Sequence, residues 1–250
     1  MLLAIDIGNT TVGCAIMRQG GIVSVVKIDT KIKSWAVRAA LTKILKRYPI
    51  TQAVICSVVP QVLQTVESFL KRAVPTQVVG RDVMVPMKNC YKNPRQVGQD
   101  RLVGAYAASQ LYGKPLIVVD LGTAITFDVV SSKGEYLGGA IVPGIRLSAE
   151  SLFSKTALLP QINIRAPQNP IGKTTQESIL SGLFYGYGVL CQGFIDLLAH
   201  QLRSKPKVVM TGGHTQLMKK FVSPKIRIID EDLVFKGLYF LASRISTPNI

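Results

Sequence analysis

Leu2-Leu3-Ala4-Ile5-Asp6-Ile7-Gly8-Asn9-Thr10-Thr11-Val12-Gly13 and Leu116-Ile117-Val118-Val119-Asp120-Leu121-Gly122-Thr123-Ala124-Ile125-Thr126-Phe127 are two versions of one pattern. Each runs four apolar residues into Asp, an aliphatic residue and Gly, then a hydroxyl side chain, then a second β-prone run. Glycine supplies the turn, so each reads as strand–turn–strand. The two Asp residues lie 114 residues apart in a chain of 250. A repeat at half-length points to duplicated domains, whereas a solenoid repeats every ~20–50 residues. The expected division is therefore 1–113 and 114–250.

Working outward, the strands after the first turn are Thr11–Arg18 and Gly21–Ile28, and those after the second are Thr123–Val130 and Glu135–Val142. Apolar residues at 37, 40, 41, 44, 45 and 48 have the period of a half-buried helix, with Ser34 as its expected cap and Tyr48 as its end. Strand Ala53–Ser57, a helix after Pro60 and strand Gln77–Val79 follow. The stretch from Arg81 to Gly98 is irregular, with Pro86, Asn89, Asn93 and Pro94, and reads as a long functional loop. A helix is expected from Gln99 to about Leu111, a helical stretch from Thr174 to Arg203, strand Lys207–Thr211, and a last helix over roughly Asp232–Ile245. Three consecutive strands followed by alternating helix and strand, twice over, imply an α/β fold with a mixed sheet in each half.

A phosphate chain needs backbone N–H donors, close approach and a metal. Gly8 lets the backbone approach an anion, and Asn9 and Thr10 add neutral donors. Asp6 would repel phosphate, so it suits Mg²⁺, directly or through water. Taken alone, one such turn is a plain hairpin. Two copies at half-chain spacing, with a late strand ending in Thr211-Gly212-Gly213, favour nucleotide binding. This is not a Walker loop: Gly172-Lys173-Thr174 lacks the upstream glycine. The second candidate is Gly98-Gln99-Asp100-Arg101, at the end of the irregular loop and the start of a helix. Asp100 can take the proton of an attacking hydroxyl, and Arg101 can orient an oxyanion. From spacing alone, a helix cap followed by a solvated arginine is an equal reading.

Composition bounds the class. The 48% hydrophobic and 18% charged residues belong to a globular chain. Thirty Lys and Arg against fourteen Asp and Glu give +16, which attracts anions of every kind. Lys31, Lys33, Arg38, Lys43, Lys46 and Arg47 cluster; a solvated face is the expected reading, and nucleic acid is not an expected partner. Cysteines 14, 56, 90 and 191 form no C-x-x-C pair and lie far in sequence from His200 and His214, so neither zinc nor a disulfide framework is expected. Scattered thiols fit a reducing cytosol. With no signal peptide and no unbroken run of roughly 18 apolar residues, a soluble, cytoplasmic protein is expected, without a membrane span.

Asp6-Ile7-Gly8-Asn9-Thr10, Gly98-x-Asp100-Arg101, Asp120-Leu121-Gly122-Thr123-Ala124-x-Thr126 and Gly138-Gly139-x-Ile141-x-Pro143-Gly144 occur in that order. Together they resemble the type III pantothenate kinases, the bacterial group once described as Bvg accessory factor, over Leu2 to about Phe240. The resemblance implies two duplicated ribonuclease H-like halves of the acetate and sugar kinase, Hsp70 and actin superfamily. It implies transfer of the ATP γ-phosphoryl to pantothenate, the first step of coenzyme A synthesis. By the family's pattern, Asp6, Ile7, Gly8, Asn9, Thr10, Thr11, Val12 and Gly13 hold the ATP phosphates with Thr123. Asp100 resembles the general base. Tyr91, Gly98, Gln99, Asp100, Arg101 and Thr175 resemble the pantothenate contacts. Asp120 resembles the ligand of a monovalent cation, K⁺ or NH₄⁺, required besides Mg²⁺. The family also implies a homodimer, with Thr175 acting on the neighbouring subunit's site and Gly182, Gly186 and Gly193 permitting close helix approach. One departure is Gly104, where the family often has Asn.

Overall fold

In a computed structural model the described residues are 1–222 and 226–245. Contacts divide the chain into two compact units. Unit 1 comprises Met1–Met87, Lys92–Ala107 and the C-terminal helix from Leu233, and unit 2 comprises Lys88–Tyr91 and Ala108–Asp232. These units differ from halves cut at 113/114 by the short segment at 88–91, by residues 108–113 and by the last helix.

Unit 1 opens with the meander β1 (Leu2–Ile7), β2 (Thr11–Arg18) and β3 (Gly21–Asp29). Helix α1 (Ser34–Arg47), strand β4 (Gln52–Ser57), helix α2 (Pro60–Leu70) and strand β5 (Thr76–Val78) follow. The sheet order is β3-β2-β1-β4-β5, with β4 and β5 parallel to β1. Alternation along β1 and β2 sends Leu3, Ile5, Ile7, Val12, Cys14 and Ile16 to one face, packed with Val37, Leu41 and Ile44 of α1 and Val66 and Leu70 of α2. Leu2, Ala4, Ala15, Met17, Val54 and Cys56 face the other way, onto Val103 and Tyr106 of helix α3 (Gln99–Tyr112) and onto Phe235, Leu238 and Leu241 of the C-terminal helix. Covering both faces explains why these strands read as continuous apolar runs.

Unit 2 repeats the plan. Strands β6 (Leu116–Leu121), β7 (Ala124–Val130) and β8 (Tyr136–Pro143) form the meander, and helix α4 (Ile145–Lys155) follows. Helix α5 (Thr175–Ser181) runs through a π turn (Gly182–Gly186) into α6 (Tyr187–Gln201). Strand β9 (Lys207–Thr211), helix α7 (Thr215–Met218) and strand β10 (Ile228–Ile229) precede α8 (Leu233–Ile245), which packs in unit 1. The sheet order is β10-β9-β6-β7-β8, the order of the first sheet strand for strand. The core joins Ile117, Val119, Leu121 and Phe127 to Leu183, Phe184, Cys191 and Ile195, with Phe127 stacked on Phe194 at 5.1 Å.

Three expectations change. Ser34 does not cap α1: Lys33 holds the cap position with no side-chain bond, and Ser34 is the first helical residue. The stretch expected as helix from Thr174 to Arg203 is interrupted by the π turn, where glycines at both ends relax the backbone. Helix α4 was not expected; its signal is Gly144 at the N-cap and buried Ile145 and Ala149 four residues apart. In addition, Thr175–Gln201 is long and apolar enough to cross a membrane by length and mean hydropathy, although it holds no unbroken apolar run. Leu180, Leu183, Phe184, Cys191 and Ile195 of that stretch belong to the unit 2 core, which accounts for its apolar character.

Candidate active site

The first turn sits at the end of β1 and β2. Ile7 pairs with Val12, leaving residues 8–11 as the loop. Gly8 closes it by donating its N–H to the Thr11 carbonyl at 3.0 Å. The turn is held from outside by Thr30, whose hydroxyl donates to the Gly8 carbonyl at 2.8 Å and whose N–H donates to the Thr10 carbonyl at 3.0 Å. Asn9 and Thr10 are exposed, Asp6 and Thr11 partly so. Ile7 and Val12 point into the core, so a ligand at the turn meets their backbone only. Gly13 is buried for packing: a Cβ there would lie 2.8 Å from the Phe235 ring.

Asp100 belongs to the same unit. Its Oδ1 accepts the N–H of Arg101 at 2.8 Å in the first turn of α3. A Cβ at Gly98 would meet that same oxygen at 2.5 Å, so only glycine lets the carboxylate lie back over the loop. Gln99 covers Gly80, which has φ +84, and a Cβ at Gly80 would fall 2.7 Å from its amide carbon. Burial pushes the Asp100 carboxyl above the usual carboxylate range, opposed by the Arg101 N–H and the Arg101 charge. Cys56, opposite Asp6 in the β1–β4 register, is fully buried. Its burial and the nearby Asp6 and Asp100 carboxylates hold the thiol protonated. Gly104 faces α8, and a Cβ there would touch Leu233 and Val234 at an ordinary 4.0 Å.

In unit 2, Leu121 pairs with Ile125, and Gly122 donates to the Ala124 carbonyl at 3.0 Å, so this turn is one residue shorter than the first. It is wedged between two glycines. A Cβ at Gly144 would overlap the carbonyl oxygens of Thr123 and Gly122, the latter at 2.5 Å. Gly212, with φ +97, lies against Asp120 and Leu121, and a Cβ there would stand 2.6 Å from the Leu121 nitrogen. Thr123 is exposed at the tip, and Asp120 is half-buried beside Thr211 in the β6–β9 register. Tyr91 is held by its N–H donating to Asn89 Oδ1 at 3.0 Å, and its ring lies on Gly138, where a Cβ would come within 3.2 Å. Thr175 is exposed at the start of α5. That helix is capped by Thr174, which accepts the Glu177 N–H at 3.2 Å, while Glu177 accepts the Lys173 N–H at 2.8 Å.

Sequence reading missed His214. Its N–H donates to the Leu121 carbonyl at 3.0 Å, tying the Gly212-Gly213 turn to the β6–β7 turn. Burial lowers its pKa, and the charge of Arg146 acts the same way against the Gly122 and Leu121 backbone. Its Nδ1 and the hydroxyl of Thr215 are buried without a hydrogen-bond partner. A histidine directly after Gly-Gly was the available signal.

The model of the type III pantothenate kinase family matches residues 2–197. The chain belongs to that family. It is 43% identical to the type III pantothenate kinase of Persephonella marina, over 97% of this chain and 98% of that one. It is 37% identical to that of a Sulfurihydrogenibium species, over 96% and 99%. Among solved structures, component A of the Acidaminococcus fermentans (R)-2-hydroxyglutaryl-CoA dehydratase superposes with a TM-score of 0.57 at 15% identity, covering 98% of this chain and 99% of that one. MreB5 of Spiroplasma citri bound to ADP superposes at 0.55 and 11%, covering 98% and 96%. These likenesses establish the fold alone, α/β with two duplicated ribonuclease H-like halves, in keeping with the matching strand orders of the two mixed sheets.

A kinase of this family uses ATP as phosphoryl donor, and the donor set suits its ion. No cluster of three or more His, Cys, Asp or Glu exists among the described residues. Mg²⁺ needs none, because it keeps several waters and takes one or two carboxylates plus substrate phosphates. Asp6 beside the first turn is such a carboxylate.

Proposed function

We propose that the protein phosphorylates pantothenate to 4'-phosphopantothenate at the expense of ATP, the first committed step toward coenzyme A. The observation that carries this reading, beside family membership, is Asp100: a half-buried carboxylate at the start of α3, in the same unit as the Gly8–Thr11 turn, with its pKa raised by burial. A base whose pKa is raised toward the working pH is the better proton acceptor.

In the step proposed, the primary hydroxyl of pantothenate attacks the γ-phosphorus while the bond to the ADP oxygen breaks. Asp100 accepts the hydroxyl proton. The backbone N–H groups of the first turn, the side chains of Asn9 and Thr10, and Thr123 hold phosphate oxygens. Arg101 orients the acceptor's carboxylate, with Tyr91 and Gly98–Gln99 shaping its surroundings. Asp6 would hold Mg²⁺, directly or through water, and Asp120 a K⁺ or NH₄⁺ ion. Bound with the nucleotide, such ions neutralise the charge on the transferring group. Phosphoryl transfer is largely positioning, so side chains that hold phosphate oxygens still contribute most of the rate.

The reading includes a homodimer. Gly182, Gly186, Val189, Gly193 and Leu197 follow one another at intervals of three and four along one helical line. The glycines have open space where a Cβ would project, and Val189 and Leu197 are 74% and 67% exposed. An apolar stripe of that kind suits a second copy, and it would bring Thr175 of α5 to the partner's acceptor site. The test is ADP release with ATP and Mg²⁺, with and without pantothenate, and with Na⁺ replacing K⁺. Equal turnover without pantothenate would remove the substrate from the proposal.

A further inference from the structure

A groove of about 560 Å³ runs between β3 and α1 in unit 1, and neither the Gly8–Thr11 turn nor Asp100 is part of its lining. Strand β3 is an edge of the sheet. The floor is apolar, with Ile28 and Ile32 on one side and Ala36 and Ala39 on the other. Trp35, the only tryptophan in the chain, stands in the lining and is 67% exposed. Lys43 and Arg47 of α1 supply the positive charge of the lining; Lys27 also borders it, but pairs with Gly13 in the β2–β3 register and so projects from the other face of β3. From Ile7 to Val66 the sequence holds one carboxylate, Asp29, and that one accepts the Lys31 N–H at 2.7 Å. Two residues of the basic cluster, Lys43 and Arg47, thus line a concave, largely apolar surface. Its volume lies in the ~300–1,000 Å³ range of small-molecule sites.

We propose that this groove is a second ligand site, for an amphiphilic anion whose acyl chain lies on the apolar floor and whose carboxylate or phosphate head meets Lys43 and Arg47. The complementarity is two-sided. A simple anion leaves the floor exposed to water, and a neutral chain leaves two cations without a counter-charge. The site is also wired to the first turn. Ile28 and Ile32 line the groove, and Thr30 between them carries both hydrogen bonds that hold the carbonyls of Gly8 and Thr10. A ligand that shifts Ile28 and Ile32 therefore acts on the turn through Thr30, which makes the groove an effector site.

The test uses decyl phosphate below its aggregation concentration, with decanol and inorganic phosphate as controls, read by Trp35 fluorescence and calorimetry. The expected result is saturable one-to-one binding of decyl phosphate, with both controls at least roughly tenfold weaker. A Lys43→Ala, Arg47→Ala double variant weakens binding by roughly tenfold, the loss expected for two exposed charge contacts. Ala39→Phe fills the floor and abolishes binding. Bound probe changes the KM for ATP, and Thr30→Val removes that change while leaving the affinity for the probe intact. Binding of decanol as tight as decyl phosphate, binding that survives Ala39→Phe, or a response only to micelles or anionic vesicles would each overturn the site. An ATP KM indifferent to bound probe would overturn the link to the turn. The binding arms need no turnover, so their outcome is independent of which substrate the kinase phosphorylates.

Discussion

Gly144 is the residue against which the β6–β7 turn rests, and replacing it by alanine isolates that contact. Its φ of −78° is ordinary, so alanine adds no backbone strain. The effect is steric: the new Cβ would overlap two carbonyl oxygens, that of Gly122 at 2.5 Å and that of Thr123 closer still, where ordinary contact begins at 3.4 Å. Restoring contact distance requires the turn to move by roughly 1 Å. Overpacking of this kind costs about 1–3 kcal/mol, which for a chain of this size lowers Tm by about 2–12 °C. A displacement of ~1 Å at a positioning element costs up to about 10²-fold in rate. The expected outcome is a lower Tm by scanning fluorimetry, and a fall in kcat/KM for ATP of up to about 10²-fold, measured by ADP release at saturating pantothenate. Gly21→Ala is the control, since a Cβ there has only an ordinary contact, 3.5 Å from the Arg18 carbonyl oxygen. Unchanged Tm and ATP kinetics in Gly144→Ala would refute the claim that the turn is wedged in place.

Asp100→Asn is expected to lower kcat by ~10²–10⁴-fold. Because burial raises this carboxyl in the folded state, its charge disfavours folding above its ordinary pKa, so the same variant should keep or raise Tm at neutral pH. In the wild type, kcat/KM should fall as pH drops through an acidic limb above the usual ~3.9 of aspartate; a limb at or below that value would contradict the raised pKa. Tyr136→Phe removes the hydroxyl that donates to buried Asp128 at 2.7 Å and should destabilise by about 1.5–3 kcal/mol in denaturant melts, although Thr126 still donates at 3.0 Å. Gly186→Leu places a side chain on the exposed stripe of the π turn. Light scattering should show a shift from dimer to monomer, and an unchanged dimer would remove that stripe as the interface.

The fold was legible because the same two hairpins occur twice and the leading strands β1 and β6 are apolar almost throughout, which a sheet covered on both faces explains. The common strand order of the two sheets follows from that repetition. What sequence could not supply was local. Ser34 looked like a cap because its residue type favours caps, but the chain enters α1 one residue earlier. Helix α4 was hidden because the glycines of β8 and Gly144 read as the end of an element, not as a cap. In the site, Asp6, Gly8 and Asp100 were visible as motif residues. The reasons for Gly98, Gly144 and Gly212 were not, since each glycine answers to a close contact that only coordinates reveal. His214 and Thr30 were missed for a related reason: both act by holding a backbone turn distant in sequence.

The central claim is tested most directly by incubating the protein with ATP and Mg²⁺, adding pantothenate, and following ADP release together with the mass of the acceptor. The account predicts ADP release that depends on pantothenate, one phosphoryl group gained per acceptor molecule, and loss of both signals in Asp100→Asn. ADP release of the same rate without pantothenate, or an unphosphorylated acceptor, would contradict it.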